Sequence, residues 1–173
     1  MRGWGATLAA FALVAALSSS EAAVSSLSAE ANAAYLASNA KQRGVIVRPS
    51  GLQYRILHNG YGKRPTLNDV CTVYYTGQLI NGTTFDGTEE GLPRQFKPAD
   101  VIPGWTEALE LMREGDHWQI VIPAGLGYGA RGAGGGVVPP NQTLVFDVQL
   151  VQVTTPKEPP KQPETSSPGN GAE

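Results

Sequence analysis

The residues of this chain that could do chemistry are aromatic. Tyr75, Phe85, Phe96, Trp105, Tyr128 and Phe146 come from separate stretches, and Asp86 is the only charge carried next to them. Brought together, such rings would line one apolar pocket with a phenol at hand as a donor. For a Trp on a helix taken alone the plain alternative is core packing, so the case for Trp105 rests on its company. No Ser/His/Asp or Cys/His set stands ready for covalent catalysis, and the acidic residues form no pair for general acid–base work. His58 and His117 are far apart with no second ligand at metal spacing, so no metal is expected. The lone Cys71 excludes an internal disulfide and, alternating with Val73 and Tyr75, reads as a buried inert thiol. Gly127-Tyr-Gly129-Ala-Arg-Gly132 fits the dinucleotide pattern G-x-G-x-x-G, but Pro139-Pro140 and a strand come after it where a helix is required. No cofactor is expected.

The elements that must position these residues centre on Val101-Ile-Pro-Gly-Trp105. Pro103 and Gly104 forbid a regular strand, while Trp105, Leu109 and Met112 recur at i, i+4 and i+7, the spacing of one helix face. One short helix is predicted, closed at Gly115. Around it the sequence alternates. Leu52, Tyr54 and Ile56 mark one strand, Val70 to Leu79 a second, Thr83 to Phe85 a third after the Asn81-Gly82 turn. Trp118, Ile120 and Ile122 mark a fourth and Leu144, Phe146, Val148 and Leu150 a fifth. The expected fold class is therefore α+β: an antiparallel half-barrel sheet of about five strands wrapped on one short helix. Between the last two strands, Ala124 to Asn141 is a glycine-rich loop too long to be idle, either functional or disordered.

The flanks differ from this body. Residues 1–23 combine Arg2, an apolar run from Ala6 to Leu17 and small residues to Ala23, the three parts of a secretory signal peptide with cleavage near Ala22 or Ala23. The run is too short to span a bilayer, so an exported protein with no stable membrane insertion is expected, its compartment being periplasm, medium or endomembrane lumen; an N-terminal anchor left uncleaved is the alternative. Residues 24–44 form a helical extension, Leu27 to Arg43, with Ser28 as cap and only a weak apolar stripe, which predicts a helix lying loosely against the domain or projecting from it. Residues 45–153 make the domain. From Thr154 the composition turns to Pro, Lys, Glu, Ser and Gly, which cannot bury a core, so 154–173 reads as a disordered tail. A net charge of -2 without basic clusters gives no footprint for nucleic acid. Asn81-Gly-Thr83 and Asn141-Gln-Thr143 are glycosylation sequons, with meaning only in a eukaryotic exporter.

Six motifs then come in register. Val73-Tyr-Tyr-Thr-Gly77, Asn81-Gly-Thr-Thr-Phe-Asp86, Val101-Ile-Pro-Gly-Trp105, Gly127-Tyr-Gly129, Val138-Pro-Pro140 and Leu144-Val-Phe-Asp-Val148 resemble the FK506-binding-protein family of peptidyl-prolyl cis-trans isomerases. Asn39-Ala-Lys through Pro49-Ser-Gly-Leu-Gln-Tyr54 further resembles its exported macrophage-infectivity-potentiator branch. The resemblance implies Trp105 as the floor beneath a substrate prolyl ring, with Tyr75, Phe85, Phe96 and Phe146 as walls. Val101, Ile102, Val137 and Val138 would complete the binding surface. Tyr128 and the Ile102 amide would donate to a substrate carbonyl, and Asp86 would sit beside the twisting amide. It implies rotation about X-Pro bonds of polypeptides during folding, with neither cofactor nor nucleophile, and inhibition by FK506 or rapamycin. The branch often carries an N-terminal dimerisation domain; only about one helix of it is read here, so a monomer is expected. A non-catalytic binding module or chaperone with the same pocket is the alternative.

Overall fold

Alternating apolar residues decide which face of each strand turns inward, and one long strand decides the rest. The structure, a computed structural model, describes residues 26–156. Strand β3 (Val70–Leu79) is its axis: β7 (Leu144–Thr154) pairs with it antiparallel along its whole length, from Val70 opposite Thr154 to Leu79 opposite Leu144. On the other side of β3 lie β4 (Thr84–Gly87) and β5 (Arg94–Phe96). Beyond β7 come β6 (His117–Ile122), β2 (Gln53–His58) and β1 (Val45–Val47), giving the order β1-β2-β6-β7-β3-β4 with β5 also on β3. Every pairing is antiparallel, and the sheet has seven strands rather than about five. The two extra strands, β1 and β5, are three residues long, too short for an alternation to declare itself.

The sheet closes on helix α2 (Pro103–Leu111), for which Pro103 supplies a preset φ at the first turn. Trp105, Ala108, Leu109 and Met112 are buried, with Leu109 and Met112 at 0% exposure. They meet Leu52, Val73, Ile120, Ile122, Leu144, Phe146, Val148 and Leu150 from the sheet. Each fully buried Leu or Met contributes about 2 kcal/mol by area removed from water. Cys71 sits in this core, and burial pushes its thiol up to about 11, as an inert side chain requires.

Helix α1 (Ala29–Asn39) has Ser28 as its N-cap, the hydroxyl accepting from the Ala31 N–H. It stops at Asn39, so Lys41 and Arg43 lie past its end. Contrary to the expected loose packing, it is pinned by two buried asparagines. Asn32 Nδ2 donates to Gln142 Oε1 at 3.1 Å while its Oδ1 accepts from the Thr143 N–H at 2.7 Å. Asn39 Nδ2 donates to Gln53 Oε1 at 2.8 Å. The docking is polar, and apolar periodicity carries no trace of it.

The loop from 124 to 141 is ordered. It makes three 3-10 turns, Ala124–Leu126, Gly129–Arg131 and Gly134–Gly136, and a bridge joins Ala133 to Val138. At the C-terminal end β7 runs to Thr154, and Lys63 Nζ donates to the Thr155 hydroxyl, so Thr154 and Thr155 belong with the domain rather than with the expected tail. Residues 1–23, expected to be a signal peptide, and residues 157–173 of the expected tail lie outside the described residues.

Candidate active site

Trp105 enters the core at the first turn of α2, directly after the Pro103-Gly104 pair that lets the helix start against the sheet. A Cβ on Gly104 would lie 2.5 Å from Ile122 Cγ2, so only glycine permits that approach. Placed there, the indole stands edge to face with three rings. The centroids are 5.2 Å from Tyr75 at 82°, 5.3 Å from Phe146 at 86° and 6.0 Å from Phe96 at 68°. These near-perpendicular contacts are the arrangement ring quadrupoles favour, and they build walls at right angles to a floor. Trp105 is 4% exposed, and what it exposes lines a cavity of about 260 Å³.

Tyr75, Asp86, Phe96, Asp100, Val101, Ile102, Tyr128 and Phe146 line the same cavity with it. β3 supplies Tyr75, β4 Asp86, β5 Phe96, the turn before α2 the next three, the glycine-rich loop Tyr128 and β7 Phe146. Three expected residues stand elsewhere. Phe85 packs behind the wall, edge to face with Phe146 at 5.5 Å. Gly77 makes room for both rings, since a Cβ there would meet Phe146 at 2.6 Å and Phe85 at 2.9 Å. Val138 is buried in the core, and Val137 is 55% exposed; neither lines the cavity. Both belong to a turn closed by the Ala133–Val138 bridge, whose geometry the sequence does not announce.

The polar side of the cavity is a small network. Tyr75 donates its hydroxyl proton to Asp86 Oδ2 at 2.7 Å, and Arg94 Nη1 donates to the Tyr75 oxygen at 2.9 Å and to Asp86 Oδ1 at 3.2 Å. The Gly87 N–H also donates to Asp86 Oδ1, at 2.8 Å. Burial, and then the Asp86 carboxylate, push the Tyr75 phenol up to about 12, so it remains a donor at any ordinary pH. Burial first, and the charge of Asp86 second, also raise the Tyr128 phenol. The Tyr128 hydroxyl and the Ile102 N–H have no hydrogen-bond partner among the described residues. The cavity therefore combines an apolar floor with two donors held ready at its lining, and it contains no nucleophile activated by a base.

Arg94 and Asp100 escape the sequence reading, and they correct the view of Asp86 as the one charge near the rings. Arg94 has a usable signal, its i, i+2 relation to Phe96, which puts both on one face of a strand. Asp100 has none.

Comparison with known proteins decides the family. Residues 62–151, just over half the chain, match the family described as FKBP-type peptidyl-prolyl cis-trans isomerase. The chain belongs to that family. Residues 5–56 match the domain amino terminal to FKBP-type peptidyl-prolyl isomerase. The outer membrane protein MIP of Legionella longbeachae is 50% identical over 69% of this chain and 52% of its own length. The crystal structure of FkpA from Escherichia coli superposes with a TM-score of 0.70 at 38% identity, covering 80% of this chain and 64% of that one. A peptidyl-prolyl cis-trans isomerase crystal structure from Pseudomonas syringae gives 0.68 at 35% identity, covering 73% of this chain and 92% of that one. The macrophage-infectivity-potentiator-like branch and the FKBP fold are thus both shared, while the chain spans only 52% of MIP and 61% of the macrophage infectivity potentiator of Trypanosoma cruzi.

Proposed function

We propose that this chain is a peptidyl-prolyl cis-trans isomerase acting on X-Pro bonds of polypeptides as they fold. The observation that supports the reading best is the Trp105 floor met edge to face by Tyr75, Phe96 and Phe146, with the Tyr128 hydroxyl and Ile102 N–H beside it and without a partner among the described residues. A cavity of about 260 Å³ suits one prolyl ring with its flanking peptide groups, or the part of a larger ligand that enters it.

Rotation about an amide is opposed by ~18–20 kcal/mol because the nitrogen shares its lone pair with the carbonyl. Water deepens the planar minimum by solvating its separated charges. In the proposed mechanism the prolyl ring seats on Trp105 between the aromatic walls, out of water, where the charge-separated form loses that support. The Ile102 N–H and the Tyr128 hydroxyl each donate to a substrate carbonyl and fix the peptide on either side of the bond. Asp86, held by Tyr75 and Arg94, presents a fixed negative field beside the rotating amide. Groups that favour the twisted amide over both planar forms lower the barrier, and no bond need be made or broken.

Tyr75, Asp86, Trp105, Tyr128 and Phe146 form the proposed catalytic set, supported by Phe85, with Phe96, Val101 and Ile102 gripping the ligand. FK506 and rapamycin are the proposed inhibitors, the chain a monomer, and residues 1–23 an export signal that delivers it beyond the cytoplasm. No helix among the described residues is long and apolar enough to cross a membrane. A protease-coupled assay on Xaa-Pro-Phe peptides tests the activity: a rate at the uncatalysed level would remove it. Light scattering tests the monomer. In a pure holding module Y128F and D86N would leave client refolding unchanged; the ordered Asp86 network favours turnover.

A further inference from the structure

The two carboxylates that line the aromatic cup are not in the same position. Asp86 is answered by three donors: the Tyr75 hydroxyl, Arg94 Nη1 and the Gly87 N–H. Asp100 lines the same cavity and is exposed, and its carboxylate takes part in no hydrogen bond or ion pair among the described residues. Lys97, whose carbonyl accepts from the Asp100 N–H at 3.0 Å, forms no ion pair with it. With the charge of Asp86 set against that of Arg94, the lining of the cup carries one negative charge without a partner, and it belongs to Asp100.

The place of that charge is fixed by the backbone beneath it. Asp100 ends the 3-10 turn Pro98–Asp100, in which Pro98 is buried. The Ala99 N–H donates to the Leu67 carbonyl at 3.3 Å, and the Thr106 hydroxyl of α2 donates to the Pro98 carbonyl at 2.6 Å. The turn is thereby tied both to the segment before β3 and to the helix that carries Trp105. An exposed carboxylate on an open surface faces only water and selects nothing. Asp100 differs because it stands two residues before the Ile102 N–H, a donor without a partner at the same cavity. Under the isomerase reading, on which this inference rests, that N–H holds a substrate carbonyl. Two residues of chain span at most about 7 Å, so the long side chain of a residue adjoining the bound proline comes within reach of Asp100.

We infer that Asp100 is a specificity-determining residue of the cup, favouring X-Pro segments that carry Lys or Arg next to the proline and disfavouring Glu or Asp there. It lies outside the ring set around Trp105, so it acts on binding rather than on the rotation. A unit charge pair ~4 Å apart in water changes affinity about fivefold. Attraction of Lys and repulsion of Glu add, so the two differ by about tenfold at low salt, and the difference contracts as the Debye length falls to ~3 Å at about 1 M salt.

NMR exchange spectroscopy, which needs no coupling protease, gives kcat/KM on two pairs of end-blocked peptides: Ala-Lys-Pro-Phe with Ala-Glu-Pro-Phe, and Ala-Leu-Pro-Lys with Ala-Leu-Pro-Glu. The readout is the Lys-to-Glu ratio within a pair, in which a general loss of activity cancels. In at least one pair the ratio is about ten at low salt, falls several-fold in D100N, chiefly through KM, and inverts in D100K. A ratio near one in both pairs overturns the inference, and so does a ratio that D100N leaves in place, which assigns the preference to Asp86 or Arg94. Affinities of the same peptides, read from the Trp105 indole cross-peak of the ¹⁵N-labelled chain, separate this from the isomerase reading. Turnover at the uncatalysed rate, with Lys peptides still bound more tightly by the parent than by D100N, removes the isomerase and keeps the preference. Turnover without any charge preference does the reverse, and absence of both effects overturns both.

Discussion

At Tyr75 one hydroxyl joins the apolar wall to the charged rim. It donates to Asp86 and accepts from Arg94, while its ring stands against Trp105 and Phe96. The Arg94–Asp86 pair alone is half exposed, at 52% and 41%, and screened by solvent it would fix little. Threaded through a buried phenol, the two charges share one geometry. Y75F keeps the ring and cuts the thread. A hydrogen bond to a charged group contributes about 1.5–3 kcal/mol, so kcat/KM on an Xaa-Pro peptide should fall roughly tenfold or more, chiefly in kcat, with the same fold by circular dichroism. The same substitution has a signature in alkali. The Tyr75 phenol titrates at about 12 in the folded protein against an ordinary 10, so the unfolded chain loses that proton first. Its contribution to stability is complete below pH ~10 and is lost as pH rises toward 12. Urea midpoints measured at pH 9 and pH 11 should therefore converge more closely in Y75F than in the parent; an equal drop in both would mean the phenol is not shifted.

Single elements are held as much by polar pins as by apolar faces. Asn32 ties α1 to Gln142 and Thr143, where the glycine-rich loop that carries Tyr128 joins β7. N32A leaves the Thr143 N–H buried without an acceptor, a cost of about 1–3 kcal/mol. The urea midpoint should drop accordingly, and amide exchange should quicken at 142–144 before it does in β3. At the start of β3, Asp69 is 1% exposed and accepts from Lys63 Nζ at 2.8 Å and from the Thr66 N–H at 2.8 Å. These bonds, Lys63 foremost, hold its carboxyl far below the usual carboxylate range. The unfolded chain thus takes up that proton first, so the contribution is present above pH ~4 and is lost as pH falls further. In D69N the decline of thermal stability between pH 5 and pH 3 should be shallower, from a lower starting point; parallel curves would remove Asp69 as a cause. These pins also mark where sequence reading stops. The strands β2, β3, β6 and β7 and helix α2 are legible because their apolar residues repeat with period two or near 3.6. Asn32 and Asn39 repeat with nothing, and the partners that pin them lie on other elements, up to 111 positions away, while Asp69 is held from within its own connection by Lys63 and Thr66, outside any periodic segment. A three-residue strand such as β5 is too short to declare itself by alternation, so Arg94, whose i, i+2 relation to Phe96 means something only once the strand is known, goes unread while Phe96 is recognised by its ring.

Across the whole molecule the cup is a meeting of segments between residues 75 and 146, and it exists only while α2 lies close on the sheet. That distance is set by one absent side chain. Gly104 lies against Ile122 so closely that a Cβ would fall 2.5 Å from Cγ2 and 2.9 Å from Cδ1. The motif Val101-Ile-Pro-Gly-Trp105 is readable as a helix start, and its glycine as a break in strand structure, but the role of that glycine as spacer emerges only with Ile122 opposite it. G104A must push α2 outward or force Ile122 from its rotamer, at about 1–3 kcal/mol. Since Trp105 is the next residue, the same displacement carries the indole away from Tyr75 and Phe146. Stability and turnover should therefore fall together, kcat/KM by more than tenfold, although the atoms nearest the added methyl all belong to Ile122. I122A alone opens a void and costs about 2–5 kcal/mol. Combined, the new methyl occupies part of the vacated space, so G104A/I122A should be more stable than the sum of the single losses by about 1 kcal/mol or more, with part of the activity restored. A double-mutant cycle by urea denaturation, run beside the peptide assay, decides it: strict additivity in both would show that the contact between Gly104 and Ile122 does not set the depth of the cup.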